Sequence, residues 1–293
     1  MRLGHLLAGD GGPRLFAEDE DGRRVVVPDA VEGAPATLDE LIRSPEWIPA
    51  IRSAAAGAPR HAGGEERLAP ALLAPSAILA IGLNYHDHCR EFGQEPPSVP
   101  IVFAKMPASL AGAGDAIEWS TDVTDQVDWE AELAVVIGRA ARNVSQADAL
   151  DHVFGYTVVN DVTARDVQAR EQQWVRAKSL ATFGPLGPVV VTADQIPDPG
   201  ALAIRSFVNG EQMQDSSTAE LIFDVPQLIS YLSRSFTLNP GDVIATGTPF
   251  GVGAFRSPPV FLRDGDEVTV EIDGIGAMTN RCRVTAASPQ EAA

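Results

Sequence analysis

The stretch VDWEAELAVVIG, residues 127–138, places two glutamates in a run that is otherwise mostly apolar. Alternate side chains of a β-strand point to opposite faces, so Glu130 and Glu132 share one face and the apolar residues around them share the other. Two neighbouring carboxylates repel each other by about 1 kcal/mol in water and by about 4 kcal/mol at an effective dielectric near 20. By themselves, the two glutamates indicate either the polar face of an edge strand or part of a cation site.

A third carboxylate, Asp161, follows a second apolar strand, VFGYTVVN. A side chain at the end of a strand can point into a cleft, and no cysteine or histidine cluster accompanies these residues. Carboxylates of this kind are hard oxygen ligands, which suit Mg²⁺, Mn²⁺ or Ca²⁺ better than Zn²⁺. The sequence therefore predicts that Glu130, Glu132 and Asp161 bind Mg²⁺ or Mn²⁺, with Ca²⁺ as a further candidate. Such a cation would also offset the repulsion between the glutamates.

The segment GLNYHDHCREFG, residues 82–93, follows the apolar strand AILAIG and predicts a short helix capped by Asn84. His88 and Glu91 are three residues apart, so they would lie on the same helical face. A carboxylate beside an imidazole orients the ring and raises its basicity, as a general base requires. A surface helix with a structural histidine is the alternative. Cys89 is adjacent to His88 in sequence and would face elsewhere, so we do not expect a thiol nucleophile.

Lysine is scarce in this chain: Lys105 and Lys178 stand against twenty arginines. In a site that holds a cation and an anionic substrate, Lys178 would offset developing negative charge; a surface lysine is the alternative. The loop TGTPFGVG, residues 246–253, lacks the GK[ST] ending of a phosphate loop, and no GxGxxG joins a strand to a helix. We therefore expect no nucleotide site. The hydroxyl and N–H groups of this loop could hold a carboxylate, or the loop could be a plain turn.

Composition narrows the class of protein further. The chain has 293 residues, 45% of them hydrophobic, and a net charge of -18. This charge disfavours nucleic acid and anionic membrane surfaces as partners, and no apolar run is long enough to span a bilayer. Two cysteines and the absence of a signal-peptide pattern predict a cytoplasmic protein. An anionic substrate would need local cations at its site.

The elements that position these residues are mostly short apolar strands, separated by loops rich in Pro and Gly. Helical spacing occurs in TLDELIRSPEWIPAIRSA, with Thr37 as N-cap, and in SQADALDHV and DVPQLISYLSRSF. The regular strand–helix alternation of a doubly wound fold is missing, which favours an α+β fold dominated by β-structure. We expect a small N-terminal domain and linker at 1–70, a catalytic domain at 71–286 and a flexible tail at 287–293.

Together the motifs resemble the fumarylacetoacetate hydrolase family. Six blocks occur in the family's order: GLNYHDHCRE, DWEAELAVVIG, GYTVVNDVTARDVQ, AKSLATFGPLGP, NPGDVIATGTPFGVG and EVTVEIDGIGAMTNR. The resemblance implies a mixed β-sandwich roll, usually a homodimer, with a metal on the E-x-E pair and on the Asp of ND. It implies three groups of site residues: the metal ligands Glu130, Glu132 and Asp161; the catalytic residues His88, Glu91 and Lys178; and the substrate contacts Tyr85, Arg165, Gln168 and Thr248.

Two details qualify this resemblance. Arg165 lies in the TARD block, where a structural salt bridge is an equal alternative to substrate contact. Many bacterial members of the family read K-x-F-D-T-F where this chain reads KSLATF, with Leu180 and Ala181 in place of Phe and Asp. This departure weakens the match to the substrate pocket of the hydroxymuconate-type isomerases.

The resemblance implies a metal-dependent hydrolase that cleaves a carbon–carbon bond in a 2,4-dioxo acid. In this hypothesis His88 activates a water that attacks the distal carbonyl, and pyruvate enolate leaves. One alternative is decarboxylation or keto–enol isomerisation of oxaloacetate-like or hydroxymuconate-like acids, which needs no attacking water. A non-catalytic metal-binding scaffold is another. A two-carboxylate glycosidase is disfavoured, because only 6% of the residues are aromatic.

Overall fold

The protein is described here by a computed structural model of residues 1–7, 12–61 and 67–286. The predicted tail at 287–293 and part of the predicted linker lie outside the described residues. The strands are β1 Arg2–Leu7, β2 Pro13–Glu18, β3 Arg24–Val26, β4 Ile78–Gly82, β5 Ile101–Lys105, β6 Leu110–Ala111, β7 Ile117–Ser120, β8 Val127–Asp128, β9 Ala131–Ile137, β10 Val153–Asn160, β11 Thr163–Ala164, β12 Gly184–Thr192, β13 Ala203–Val208, β14 Glu211–Ser217, β15 Val243–Ala245, β16 Glu267–Ile272 and β17 Gly276–Thr285.

The helices are short, and none in the described ranges is long and apolar enough to cross a membrane. They are α1 Val27–Ala30, α2 Leu38–Arg43, α3 Ile48–Ala56, α4 His86–Phe92, α5 Arg165–Arg170, α6 Val175–Lys178 and α7 Val225–Ser235.

Two large sheets build the molecule. Within the described ranges, the main sheet has ten strands in the order β3-β2-β1-β12-β10-β9-β15-β4-β5, with β6 paired to β12. A second sheet has the order β14-β13-β16-β17-β7, and β8 pairs with β11. Most pairs are antiparallel, whereas β4/β15, β6/β12 and β7/β17 are parallel. The predicted α+β fold dominated by mixed β-structure is therefore confirmed.

The central strand β9 is buried on both faces. Leu133 and Val135 pack in one apolar cluster with residues of the second sheet, whereas Ala134 and Val136 pack in another with residues of the N-terminal helices. The two glutamates at the start of the strand fall on the face of the second set. The predicted period of two is confirmed, and the alternative of a solvent-exposed edge strand is wrong.

The N-terminal segment joins the main sheet. Strand β1 pairs with β12, with Leu3 opposite Val190. Leu38 of α2 and Val243 of β15 belong to one apolar cluster. Described residues on both sides of the predicted boundary at residue 70 thus share one sheet and one apolar cluster, and the division into domains stays a prediction.

Local sequence signals set several helix ends. Thr37 caps α2 and forms a capping box with Glu40, as the sequence predicts, and Asp224 caps α7 in the same way. Pro45 begins a short 3₁₀ helix that separates α2 from α3, because proline offers no N–H to a continuing helix. The helix predicted in SQADALDHV is reduced to a 3₁₀ turn, Ala149–His152.

Candidate active site

Three buried carboxylates meet where β9 begins and β10 ends. The two strands are antiparallel neighbours, with Val159 opposite Glu132, and the N–H of Asp161 donates to the carbonyl of Glu130 at 2.9 Å. One oxygen from each of Glu130, Glu132 and Asp161 lies within 4.8 Å of the others. The pairing of β9 with β10 therefore brings together the three residues that the sequence predicts as metal ligands.

Both lysines of the chain are buried against this cluster. Lys178 Nζ donates to Glu130 Oε2 at 2.7 Å and to Asp161 Oδ2 at 2.8 Å. Lys105 Nζ donates to Asp161 Oδ1 at 2.6 Å and to the carbonyl of Phe183 at 2.9 Å, and it also contacts the carbonyl of Lys178. Lys105 has no assigned role in the sequence-based prediction, although the scarcity of lysine was a signal for it.

Arg165 holds Glu130 from the other side. Its Nη2 lies 2.7 Å from Glu130 Oε1, Nε donates to Asp128 Oδ2 at 2.8 Å, and Nη1 donates to Gln168 Oε1 at 3.1 Å. Asp128 also accepts the N–H of Gly253 at 2.7 Å. Each guanidinium nitrogen lies close to a protein oxygen, although Nη2 makes an ion pair with Glu130 and no aligned hydrogen bond. The salt-bridge alternative for Arg165 therefore fits the structure. Arg165 also lines the cavity described below, and its contact with substrate stays a prediction.

These contacts shift the pKa values of the carboxylates in opposite directions. Burial opposes ionisation of Glu130, but Lys178 and Arg165 outweigh burial and lower the pKa of Glu130 to about 2. Burial raises the pKa of Glu132 well above its ordinary value, and the charges of Asp161 and Glu130 raise it further. Lys105, Lys178 and Arg165 contact Glu130 or Asp161, and a further cation beside Glu132 would offset the repulsion that raises its pKa.

The charge of the cluster supports the same conclusion. With all four carboxylates ionised, as a bound cation would keep them, they face three protein cations; a divalent ion would then bring the total to one positive charge, suited to an anionic substrate. The groups counted are Asp128, Glu130, Glu132 and Asp161, with Lys105, Lys178 and Arg165. Buried carboxylate oxygens are the donors that Mg²⁺ and Mn²⁺ prefer, so the residues fit such an ion.

The predicted imidazole–carboxylate pair forms on α4. His88 Nδ1 lies 2.9 Å from Glu91 Oε2, and Glu91 Oε1 accepts the N–H of Gly251 at 2.9 Å. The ring of Phe255 lies 5.6 Å from the His88 ring, centroid to centroid. Glu91 is thereby fixed by a backbone group of the loop after β15, and His88 is fixed by Glu91.

The start of α4 differs from the prediction. Asn84 does not cap the helix: its amide donates to the carbonyls of Thr246 at 2.7 Å and Phe223 at 3.0 Å. Tyr85 occupies the N-cap position, with its side chain fully buried and outside the lining of the cavity described below; its contact with substrate stays a prediction. Burial raises the pKa of the Cys89 thiol, in keeping with the absence of a nucleophilic role.

Thr248 is held by a residue of the second sheet. Its hydroxyl donates to the carbonyl of Ala131 at 3.0 Å and accepts from Gln214 Nε2 at 2.8 Å. Gln214 Oε1 in turn accepts the N–H of Ala131 at 3.0 Å. Ala131 lies between the two glutamates, so Gln214 and Thr248 fix the backbone that carries both. Nothing in the polar strand EQMQDSS distinguishes Gln214 from its neighbours.

A cavity of about 170 Å³ opens beside these groups. Glu91 and Asp161 lie behind its wall. The predicted site residues that line it are His88, Glu130, Glu132, Arg165, Gln168, Lys178 and Thr248.

Aromatic rings form much of the remaining wall of this cavity. Phe103, Trp174 and Phe255 line it, although the sequence gives no signal for their role. Leu180 and Ala181, the departures from the family pattern, are absent from its lining; Leu180 lines a separate surface cavity. The departure in KSLATF therefore lies outside the candidate active site.

Comparison with protein families agrees with the motifs and the geometry. The model of the fumarylacetoacetate (FAA) hydrolase C-terminal family matches residues 77–283. The chain belongs to the fumarylacetoacetate hydrolase family. This finding and the sheet architecture confirm the resemblance on which the predicted fold rests.

Curated relatives in this family include two oxaloacetate tautomerases. A mitochondrial one from Xenopus laevis is 42% identical over 287 residues, which span 96% of this chain and 89% of that protein. One from Bacillus subtilis strain 168 is 49% identical over 206 residues, which span 70% of this chain and 68% of that protein.

Solved structures of the family are also similar. A fumarylacetoacetate hydrolase from Exiguobacterium antarcticum matches with a TM-score of 0.85 and 39% identity, covering 97% of this chain and 100% of that chain. A maleylpyruvate hydrolase from Sphingobium sp. SYK-6, in complex with manganese(II) and pyruvate, matches with a TM-score of 0.78 and 30% identity, covering 98% and 100%.

The relatives support one of the functional hypotheses more than the other. The two tautomerases favour the isomerisation alternative over the predicted carbon–carbon hydrolysis, although hydrolases occur in the same family. The manganese in one related structure agrees with the expected class of metal. Which metal this chain uses, whether it forms a homodimer and where it resides stay predictions.

Proposed function

We propose that this protein is a divalent-metal-dependent tautomerase that interconverts the keto and enol forms of oxaloacetate or a similar 2-oxo dicarboxylic acid. One observation carries this proposal: His88, which is paired with Glu91, lines the same small cavity as Glu130 and Glu132 of the buried carboxylate cluster. A proton-transfer group and a place for an electrophilic cation therefore face one substrate-sized space.

The cluster would hold Mg²⁺ or Mn²⁺ through Glu130, Glu132 and Asp161. When bound, the ion would act as a Lewis acid on the carboxylate and 2-oxo oxygens of the substrate. Lys178 lies where its ammonium can offset the negative charge of an enolate, because it contacts Glu130 and Asp161 at the cavity wall. Lys105 contributes from behind by orienting Asp161.

His88 is the proposed base for the carbon next to the keto group. With Nδ1 protonated and donating to Glu91, the other ring nitrogen, Nε2, is the acceptor. It takes a proton from that carbon, which leaves an enolate, and then delivers this proton to the oxygen of the former keto group to complete the enol. The reverse direction retraces both transfers. No water is consumed and no carbon–carbon bond breaks, so one proton-transfer group suffices.

Hydrolysis of an acylpyruvate is the second candidate. It is favoured by the similarity to the maleylpyruvate hydrolase that was solved with manganese(II) and pyruvate. The same His88–Glu91 pair would then deprotonate a water instead of a carbon acid. The two functions differ in their products, not in the residues they use.

A product assay separates these functions. Oxaloacetate, acylpyruvates and hydroxymuconate-type dienes are incubated with the purified protein in Mg²⁺, in Mn²⁺ and with chelator. Keto–enol interconversion is followed by ultraviolet absorbance, and products are identified by mass.

Faster interconversion of oxaloacetate with the carbon skeleton intact supports the proposal. Release of pyruvate and a second acid supports hydrolysis, and release of carbon dioxide supports decarboxylation. Activity that survives full chelation contradicts the metal requirement, and metal binding without turnover of any acid indicates a scaffold.

Glu132→Gln tests the metal site itself. This change keeps an oxygen for the N–H of Gly247, which donates to Glu132 at 2.9 Å, but removes the charge. We expect weaker Mn²⁺ binding in a titration and a turnover lower by orders of magnitude, with the thermal transition retained. Unchanged Mn²⁺ affinity would contradict the assignment of Glu132 as a ligand.

A further inference from the structure

Two aromatic rings close the apolar end of the cavity. Phe103 of β5 and Trp174 meet edge to face, with centroids 5.3 Å apart and an interplanar angle of 71°. Trp174 is the N-cap residue of α6, and its carbonyl accepts the N–H of Lys178 at 3.0 Å. Lys178 Nζ lies 5.2 Å from the centroid of the Phe103 ring. The same helical turn thus carries Lys178, which is proposed to stabilise charge, and Trp174, whose ring closes the cavity.

The indole of Trp174 reaches this position because residue 82 has no side chain. A Cβ placed on Gly82 would lie 2.7 Å from Cζ3 and 3.2 Å from Cη2 of Trp174. The first distance is shorter than real Cβ contacts, so an alanine at residue 82 would push the ring away. Gly82 ends β4, a strand of the main sheet, which gives the ring a rigid support.

The enclosed space is small. Cavities that hold drug-sized ligands measure about 300–1,000 Å³, whereas this cavity measures about 170 Å³. The charged cluster and His88 occupy part of its wall, and the rings of Phe103, Trp174 and Phe255 are the largest side chains in the remainder. A four-carbon oxo acid fits such a space, but a long or branched distal group would have to displace a ring.

From these contacts we infer that Trp174, seated on Gly82 and against Phe103, sets the upper size limit of the substrate and restricts the site to short-chain 2-oxo acids. This inference rests on the proposed function in that the substrate is a 2-oxo acid bound at the carboxylate cluster. It adds the size class of that acid and the residue that enforces it.

A binding ladder tests the size limit without requiring turnover. Straight-chain 2-oxo acids, from pyruvate upwards in length, are titrated calorimetrically into the Mn²⁺-loaded wild-type protein, Trp174→Ala and Trp174→Phe. A methylene that does not fit a pocket changes affinity by about 10- to 200-fold. We expect wild-type affinity to fall steeply with chain length, Trp174→Ala to bind the longer acids at least about tenfold more tightly than wild type, and Trp174→Phe to lie between them. If affinity fell at the same acid chain length in all three proteins, the inference would be overturned.

Two further variants sharpen the test. Leu180→Ala is a large-to-small change on the same segment, but the Leu180 side chain lies outside the cavity. The affinities of this variant should therefore depend on acid chain length as those of wild type do. Gly82→Ala should weaken binding of even the shortest acids in the wild-type background, but by much less in the Trp174→Ala background. Equal effects in both backgrounds would show that the two residues do not act through contact.

The outcomes separate this inference from the proposed function. If Trp174→Ala bound longer acids than wild type does but the protein did not convert oxaloacetate, the size limit would stand and the tautomerase function would be rejected. If the protein converted oxaloacetate but the variants had the same chain-length dependence as wild type, the function would stand and the size limit would be rejected. Thermal unfolding of each variant establishes that it is folded, and Trp174→Phe alone carries the comparison if Trp174→Ala is not.

Discussion

At the scale of the residue, Lys105 shows why a chain rich in arginine keeps a lysine. Its ammonium has three donors, and the structure provides three oxygens: one of Asp161 and the carbonyls of Lys178 and Phe183. The side chain is fully buried, so the acceptors have no alternative partner in water. A planar guanidinium is larger and spreads its donors in one plane, so arginine does not match this arrangement.

Replacing Lys105 should therefore destabilise the whole protein. Removing one partner of a buried ion pair costs about 3–5 kcal/mol, because the other charge stays buried. We expect Lys105→Met to lose about this much free energy of unfolding in urea, and Lys105→Arg to lose a similar amount. Arg90→Ala is the control: its pair with Glu220 is exposed, and such pairs contribute about 0–1 kcal/mol. Equal losses in the buried and exposed cases would contradict this role of Lys105.

His88 and Glu91 should affect turnover without affecting the metal. General acid–base catalysis contributes about 10²–10⁴-fold to rate, so His88→Gln should lower the turnover number of oxaloacetate by about this factor. Glu91→Gln keeps an acceptor for His88 Nδ1 but loses the charge that stabilises the imidazolium, so we expect a smaller loss. Neither residue belongs to the carboxylate cluster, and Mn²⁺ affinity should match wild type in both. A loss of Mn²⁺ binding would instead assign the dyad a structural role in the cluster.

At the scale of the element, the sequence reveals what one strand or one helix determines. The period of β9 places Glu130 and Glu132 on one face, and the spacing of α4 pairs His88 with Glu91. Contacts between distant elements leave no such local pattern. Gln214 reaches the site only because the second sheet packs on the main one, so its role could not be predicted from the sequence. Pairing with β10 on one side and β15 on the other, also long-range in sequence, makes β9 a central strand instead of an edge strand.

Gln214 should therefore couple the second sheet to the metal site. Its amide makes four hydrogen bonds, to Ala131, Ser206, Thr248 and Pro249. Gln214→Leu leaves buried polar groups without partners, at about 1–3 kcal/mol each. We expect lower stability in urea and weaker Mn²⁺ binding, because Ala131 lies between two proposed ligands.

Gln212 offers a matched control on the same strand. It is exposed, and Gln212→Leu should change stability by no more than about 0.5 kcal/mol. If Gln214→Leu lowered stability but left Mn²⁺ affinity unchanged, the second sheet would support the fold without tuning the site.

At the scale of the whole molecule, one buried imidazole ties together three parts of the N-terminal segment, whose strand β1 pairs with β12 of the main sheet. His5 of β1 is fully buried; its Nε2 accepts the N–H of Leu38 at 3.0 Å, and its Nδ1 lies 3.2 Å from the carbonyl of Pro70. This arrangement needs a neutral ring with the proton on Nδ1. A protonated ring would turn the acceptor of Leu38 into a donor, so protonation should weaken the packing of α2 against β1.

The stability of the whole molecule should therefore fall on the acid side of neutrality. Burial lowers the pKa of His5 below its ordinary value of 6.5. Because the unfolded state then binds the proton more tightly, the contribution of His5 is complete above about pH 6.5 and is lost as the pH falls towards the folded-state pKa, by at most about 1.4 kcal/mol per pH unit. Urea unfolding of wild type and His5→Gln across this range should show a smaller acid loss in the variant. His86→Gln, which alters an exposed histidine, should follow wild type. If His5→Gln lost as much stability on acidification as wild type, carboxylates elsewhere would control the acid transition.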